Sequence, residues 1–353
     1  MVSTESRASH CAERHAFTLV EVLVVIALVG LFSALMLPAA QRVREAARRI
    51  CCGNNLHQLG LALHEYEAIH GNFPPAKQLE PGFTISPGLS FDGFRDYSAH
   101  CYLLPYLERN ALYSSVNFAL PVAEYWNATA PLSGSLGANT TAMNTTVGQF
   151  LCPSDPDALP SSPGRNSYRA NVGPGLCGSS PGVGAGDGRG AFAHSAYMLL
   201  RDFTDGLSST VAFSEKLCGS GVGRFRSDRD FVFSNWSGNT AQLTLDNMVS
   251  ECRSITHPPS NYSFDSGKTW AIGGTRYTTY THTGSPNSDF VDCAIRGGKP
   301  PCGAFTARSI HGDGVNCLMG DGTVRFVSSN VDLELWRAVG TRNGGEVIDS
   351  KLY

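Results

Sequence analysis

Three side chains near the C-terminus could do chemistry together: His311, Asp313 and Asp321, in the stretch SIHGDGVNCLMGDG. A histidine with two carboxylates can make an acid–base pair or an oxygen-rich metal site. Asp313, Asp321 and neighbouring carbonyls offer ligands suited to Ca2+, which takes six to eight oxygens. The same residues have a structural use. A His ahead of a strand and an Asp in a Gly-flanked turn can bond backbone groups and fix a hairpin. The structural use outweighs the metal one, so no cofactor is expected and Ca2+ is the one candidate ion. No other stretch has the pattern of a catalytic centre. Ser214-Glu215 lies in no nucleophile motif, and G-x-S-x-G, H-E-x-x-H and the P-loop are absent. Gly182 to Gly190 is glycine-rich, but no Lys-Ser/Thr follows to complete a phosphate cradle. An enzyme is not expected.

A fourth residue stands out by its surroundings. Glu21 is the only charge between Phe17 and Leu37, FTLVEVLVVIALVGLFSALML. At about 1.5 Å per residue this run spans about 31 Å, the thickness of a bilayer's hydrocarbon core. A cleaved secretory signal has a shorter apolar region of about 7–15 residues and a small-x-small cleavage site. This run is too long for that, and Leu35-Met36-Leu37-Pro38 is a poor site. A plain anchor explains the length but not a carboxylate, which costs roughly 2.5–3.5 kcal/mol in hydrocarbon. The rest of the composition is unremarkable for a folded domain. The 353 residues are 42% hydrophobic and 16% charged, with net charge −3. That gives a core, room for one domain plus an anchor, and no basic surface for nucleic acid.

The segment His15-Ala16-Phe17-Thr18-Leu19-Val20-Glu21 explains both the length and the charge, because it resembles the type IV prepilin signal. The resemblance implies cleavage between Ala16 and Phe17 by a prepilin peptidase, then N-methylation of Phe17. Glu21 becomes the fifth residue of the mature chain. The new ammonium at Phe17 and the Glu21 carboxylate of a neighbouring subunit can neutralise each other inside an apolar filament core. Ala16 stands where that family usually has Gly, which predicts slower rather than absent cleavage. Arg42, Arg44, Arg48 and Arg49 follow the span and only Arg7 and Arg14 precede it. Arginine counting alone would put the C-terminal part in the cytoplasm. The prepilin motif is the more specific signal, and it puts that part outside.

Further marks follow in order. They are Arg44-Glu45-Ala46-Ala47-Arg48-Arg49, Cys52, Asn54-Asn55-Leu56, Gly60-Leu61-Ala62-Leu63-His64 and Phe73-Pro74-Pro75. Then come Leu103-Leu104-Pro105-Tyr106-Leu107-Glu108, Leu112-Tyr113, Phe150-Leu151-Cys152-Pro153-Ser154-Asp155, Ser167-Tyr168 and Ala170-Asn171-Val172-Gly173. Thr204-Asp205-Gly206-Leu207-Ser208-Ser209-Thr210 precedes Glu215, and nine residues lie between His311 and Asp321-Gly322. Together these resemble the pilin-like DUF1559 family, whose members join a prepilin signal to a C-terminal His-x9-Asp-Gly domain. The resemblance runs from about residue 16 to 349. It implies a pseudopilin-like subunit of a type IV pilus- or type II secretion-like structure, single-pass in a bacterial inner membrane. The C-terminal domain would lie in the periplasm or on a filament. Its implied partners are the prepilin peptidase/methyltransferase and other pilin-like subunits, met through the N-terminal helix.

These residues must be positioned by an α+β fold, a long helix followed by a mainly antiparallel β domain with long loops. The segments are a leader (1–16), a membrane or filament-core helix (17–38), an amphipathic helix (39–71) and an extracytoplasmic domain (72–353). Within the last, 217–303 reads as a variable insertion and 305–349 as the His-x9-Asp-Gly region. Val43, Ala47 and Ile50, and then Leu56, Leu59, Leu63 and Tyr66, repeat at helical spacing. Pro38 is placed for a kink, Gly53-Asn54-Asn55 for a bend, and Gly71 with Pro74-Pro75 for the helix end. Near the C-terminus, Val315, Cys317 and Met319 alternate, Gly320-Asp321-Gly322 turns, and Val324 and Phe326 return. A helix follows, capped by Ser329 or Asn330, with Leu335 and Val339 on its apolar stripe and Gly340 at its end. Val211-Ala212-Phe213 and Phe231-Val232-Phe233 read as short strands.

Of eleven cysteines, Cys11 leaves with the leader and ten remain. An extracytoplasmic setting favours disulfides. Loop context suggests Cys177–Cys218 and Cys293–Cys302, and Cys317 reads as a buried thiol. No C-x2-C pair supports a zinc ribbon. A second functional reading is a membrane-anchored module that binds a solute or glycan. The aromatics Phe225, Phe231, Phe233, Trp236, Tyr262, Phe264, Trp270, Tyr277 and Tyr280 of the insertion suit glycan stacking and a β core equally.

Overall fold

The computed structural model of the protein describes residues 19–78, 84–86, 89–90, 96–120, 122, 139–158, 164–175, 189–221, 225–234, 244–255, 261–295 and 303–346. The chain forms two compact units, Met1–Ala47 and Arg48–Tyr353. Helix α1 (Leu19–His70) contributes to both and carries Pro38 inside it.

In the first unit, every residue from Leu19 to Leu37 is exposed. The helix is long and apolar enough to cross a membrane, with a window of mean hydropathy 2.7. Leu19, Ile26, Phe32 and Met36 find no cover within the chain.

In the second unit, α1 behaves as a core element. Cys52, Leu56, Leu59, Leu63 and Tyr66 form its buried stripe, while Ile50 and Leu61 stay exposed. The stripe expected from Leu56 onward is therefore the one that packs. The expected bend at Gly53-Asn54-Asn55 does not occur, and the helix runs through it. Asn55 explains why: its side-chain amide donates to the Leu151 carbonyl at 2.8 Å rather than competing for its own backbone. The helix ends where expected. Gly71 takes φ +72° and its N–H donates to the Glu67 carbonyl at 2.7 Å.

Among the described residues three sheets follow. A small antiparallel pair joins β1 (Thr84–Ser86) to β2 (Leu89–Ser90). The main sheet comprises β3 (Tyr168–Asn171), β4 (Val211–Glu215), β7 (Thr279–Tyr280), β10 (Gly314–Met319) and β11 (Val324–Ser328). Its order is β11-β10-β4-β3-β7, antiparallel except for the β3–β7 pair. The third sheet has the order β6-β5-β8-β9, from β5 (Phe231–Ser234), β6 (Tyr262–Ser263), β8 (Asp292–Ile295) and β9 (Gly303–Ala304). The architecture is α+β.

The segment 217–303 supplies β5, β6 and β8 and a helix at Leu245–Ser254. These elements share a core of Val232, Met248, Cys252, Phe290, Cys293 and Ile295. Phe231, Trp270, Tyr277 and Tyr280 are buried, so these four aromatics serve the β core. Trp236 lies outside the described residues.

Two cysteine pairings differ from expectation. Cys293 bonds Cys252 rather than Cys302, because β8 faces the Leu245–Ser254 helix. Cys218 is a free, buried thiol that donates to the Asn166 carbonyl at 3.3 Å. Cys177 and Cys302 lie outside the described residues. Cys317 is the buried thiol expected, and burial pushes it up to about 12.

The C-terminal hairpin forms as β10 and β11. Its helix, Leu333–Val339, is capped by Asp332 rather than Ser329 or Asn330. The Asp332 carboxylate accepts from the Glu334 and Leu335 N–H groups, each at 3.0 Å. Gly340 ends the helix with φ −78°, so its role is clearance: a Cβ there would meet the His282 ring at 2.4 Å.

Buried histidines, His100 and His282 among them, make the fold sensitive to acid. His282 donates from Nδ1 to the Trp336 carbonyl (2.8 Å) and accepts at Nε2 from the Tyr280 hydroxyl (2.7 Å). Burial lowers its pKa to about 3. His100 donates from Nε2 to the Tyr168 carbonyl at 2.8 Å, and burial lowers its pKa to about 4. Unfolded histidine protonates near 6.5, so below that value the unfolded chain binds protons that the folded chain refuses. Stability is full above about pH 6.5 and falls on acidification, by about 2 kcal/mol per histidine between pH 7 and pH 5. Urea unfolding of the full chain in detergent at the two pH values measures this. Equal midpoints would refute it.

Candidate functional site

The described residues bring four chemically able side chains to one buried point: Cys52, Cys152, Glu215 and His311. Each arrives on a different element. Cys52 sits on the packed face of α1, and Cys152 follows the short 3-10 turn Gly148–Phe150. Glu215 is the last residue of β4. His311 precedes β10, with Gly312 at φ +77° turning the chain into the strand. Antiparallel pairing of β4 with β10 puts the end of one beside the start of the other. That register aims Glu215 at His311.

The geometry is closed on all sides. Cys52 and Cys152 form a disulfide with Cα atoms 5.0 Å apart. His311 Nε2 lies 3.1 Å from Glu215 Oε1 and 3.4 Å from Cys152 Sγ. The carboxylate is the stronger acceptor, so the Nε2 proton goes to Glu215. Asn316 adds two more donors, its N–H to Oε2 (2.8 Å) and its amide to Oε1 (3.0 Å). Three donors thus satisfy a carboxylate that is only 2% exposed. Burial beside this carboxylate pushes the Tyr168 phenol well above its ordinary range.

Asp321 and Gly322 have a separate location. β10 lies between them and His311, and its six residues at about 3.3 Å each span about 20 Å. Asp321 is partly exposed and accepts from the Thr323 N–H (2.9 Å) and hydroxyl (2.7 Å), the Asx-turn arrangement. Asp313 is exposed, at the other end of the strand. The fold therefore does not bring Asp313 and Asp321 together.

Gly322 touches α1 instead. It adopts φ +86°, its carbonyl accepts from His57 Nδ1 at 3.4 Å, and a Cβ on it would lie 3.3 Å from His64 Cδ2. Gly60 forms the matching notch in the helix. A Cβ there would sit 2.8 Å from Leu318 Cδ1 and 3.3 Å from Gly322 Cα. Both ends of the nine-residue spacing therefore dock on α1, one at Cys52 and the other at Gly60. Arg49 stacks its guanidinium over the Phe326 ring of β11 at 3.6 Å, on the same helix–hairpin seam.

His311, Asp321 and Gly322 stood out in the sequence, but the partners of His311 did not. Cys52, Cys152 and Glu215 each lie in one of the ordered sequence marks, and that shared membership was the available signal. Of the remaining sites, Ala16 and Phe17 lie outside the described residues. Glu21 falls in the first turn of α1 and is exposed. A cleft of about 540 Å3 lies elsewhere, lined by Tyr66, His70, Tyr102, Tyr106, Tyr113 and Tyr197 among others.

Two family models match the chain. Residues 41–334 match a protein of unknown function (DUF1559), and residues 12–37 match the prokaryotic N-terminal methylation motif. No curated protein and no solved structure gives a significant match.

The two ends of the His311–Gly322 motif should respond unequally to mutation. His311→Ala leaves the Glu215 carboxylate buried and short of a donor, a loss of about 3–5 kcal/mol. Asp321→Ala removes bonds in a partly exposed turn, about 0.5–1.5 kcal/mol. Thermal unfolding of the two variants in detergent compares them, and an equal loss from both would contradict the assignment.

Proposed function

The chain belongs to the DUF1559 family, and on that premise we propose that it is a structural subunit that assembles through α1. The methylation motif marks a prepilin-type, pilin-like protein, and one N-terminal apolar helix fits a single-pass anchor. The proposal goes further. A prepilin peptidase cuts before Phe17 and the new amine is N-methylated. The subunit then passes from the inner membrane into a type IV pilus- or type II secretion-like structure. Its globular unit faces the periplasm or the filament surface. The role is structural rather than catalytic.

The observation that carries this reading is the uncovered helix. Leu19 to Leu37 is exposed throughout the chain's own fold. So long an apolar surface must be covered by lipid before assembly and by neighbouring helices after it. Glu21 then has a use. Its carboxylate costs roughly 2.5–3.5 kcal/mol in hydrocarbon, and the Phe17 ammonium of a neighbouring subunit offsets that cost.

One observation favours a second reading, a membrane-anchored binding module. The tyrosine-lined cleft offers aromatic faces, hydroxyls and the His70 imidazole, with no charged side chain among the described residues of its lining. Such a wall suits a neutral polar ligand of the solute or glycan class.

The decisive experiment is intact-mass and N-terminal peptide analysis of protein extracted from its native membrane. The expected mature chain starts at N-methyl-Phe17. Glu21→Val should still be cut and stay in the membrane but drop out of the assembled fraction. A chain that still begins at Met1 or Val2 would overturn the assembly reading and put the binding module first.

A further inference from the structure

We propose that Cys52, Cys152, Glu215 and His311 form a Zn2+ site when the disulfide between the two cysteines is open. The proposal stands apart from filament assembly.

The ligand set is chemically apt. Two thiolates, one imidazole nitrogen and one carboxylate oxygen are donors that Zn2+ accepts in four-coordinate sites. The positions fit as well. One ligand atom from each residue lies within 4.8 Å of all the others. A tetrahedron with bonds of 2.0–2.3 Å has edges of about 3.3–3.8 Å. The Nε2–Sγ and Nε2–Oε1 separations, 3.4 and 3.1 Å, are already close to those edges. The bonded sulfur pair must part, to about 3.8 Å, and the remaining separations lie within 4.8 Å. Rotation about the two Cα–Cβ bonds can achieve that with Cα atoms 5.0 Å apart.

The surroundings suit a closed structural site. All four residues are buried. The Asn316 N–H and side-chain amide already orient the carboxylate, as outer-sphere partners of a zinc ligand do. Zn2+ with two thiolates and a carboxylate carries net charge −1, and those two donors help to offset it.

The chemistry balances. A two-electron reductant breaks the S–S bond and leaves two cysteine thiols. A dithiol becomes a disulfide in doing so, and a phosphine takes oxygen from water to become its oxide. Zn2+ then displaces the two thiol protons, the His311 Nε2 proton moves to Nδ1, and the freed Nε2 and the Glu215 carboxylate bind the metal without further redox change. The same seam of α1 and the β4–β10 edge is thereby closed by a disulfide in an oxidising setting and by a metal in a reducing one.

The test uses the full chain in detergent, reduced with a phosphine, incubated with Zn2+ and desalted. Zinc per chain is counted, and the metal's coordination shell is read by X-ray absorption. The reduced chain should hold one Zn2+ more than the unreduced chain, with two sulfur and two nitrogen or oxygen neighbours. A Cys252→Ser/Cys293→Ser variant should keep that ion, and Cys152→Ser and His311→Ala should lose it. If either of these fails to fold, the near-isosteric Glu215→Gln should still weaken Zn2+ binding about tenfold or more. No extra zinc on reduction, an all-sulfur shell, or undiminished binding by Glu215→Gln would overturn the proposal.

Discussion

The globular unit depends on how one face of a helix is held against one hairpin. From Cys52 to Tyr66 the stripe on α1 is buried almost completely, and it opens the main hydrophobic core. A helix face of this kind gains from burial at roughly 25 cal/mol per Å2 of apolar area, without regard to register. Register comes from contacts that tolerate no slip. At one end the Cys52–Cys152 bond, with His311 and Glu215 against it, fixes the helix to the β4–β10 edge. About two turns further on, the Gly60 notch admits Leu318 and the turn at Gly322, and a Cβ there would crowd both.

This arrangement accounts for charged and polar groups in a place that burial alone would leave apolar. A buried carboxylate is costly unless both its oxygens are hydrogen-bonded. Glu215 meets that condition through His311 and Asn316. The result is directional where hydrophobic packing is not. The disulfide closes a loop of 100 residues, which in the chain-entropy account is worth about 4–5 kcal/mol against the unfolded chain. Covalent, ionic and steric constraints thus converge on a seam that apolar area alone would leave free to slide.

Much of this was legible in the sequence because it is local. The helical stripe of α1, its end at Gly71, the β10–β11 hairpin and the strands β4 and β5 follow from periodicity and turn chemistry. Long-range pairing was not legible. His311 and Asp321 attract attention together because nine residues separate them, yet that spacing is the length of a strand and parts them. The partners of His311 lie 96 and 159 residues away, beyond the reach of any spacing argument. The same limit defeated the pairing of Cys293, whose mate Cys252 is set by the packing of β8 on a helix. The cap at Asp332 was missed for a local reason. Three residues within four positions, Ser329, Asn330 and Asp332, could accept the first N–H groups, and only the helix's starting point decides among them. For the aromatics of 217–303 composition was silent, since a ring that stacks on a ligand and a ring that fills a core look alike until burial separates them.

A pilin-like subunit gives the seam a mechanical meaning. In such a subunit the apolar part of α1 is gripped by lipid or by other helices, and the globular part is not. If such subunits assemble as proposed, a force along the assembly passes through the stretch of α1 that both holds the domain and continues into the apolar run. Dispersion contacts are individually weak, about 0.1–0.2 kcal/mol per atom pair, and a sliding helix can exchange them one at a time. A disulfide, a buried carboxylate–imidazole bond and a glycine notch cannot be exchanged in that way, because each has a single register. They occupy about two turns of α1 near the start of the globular unit, between Cys52 and Gly60, next to the apolar run. The His-x9-Asp-Gly spacing is then a length standard, one strand long, that locks a hairpin onto α1 at both ends.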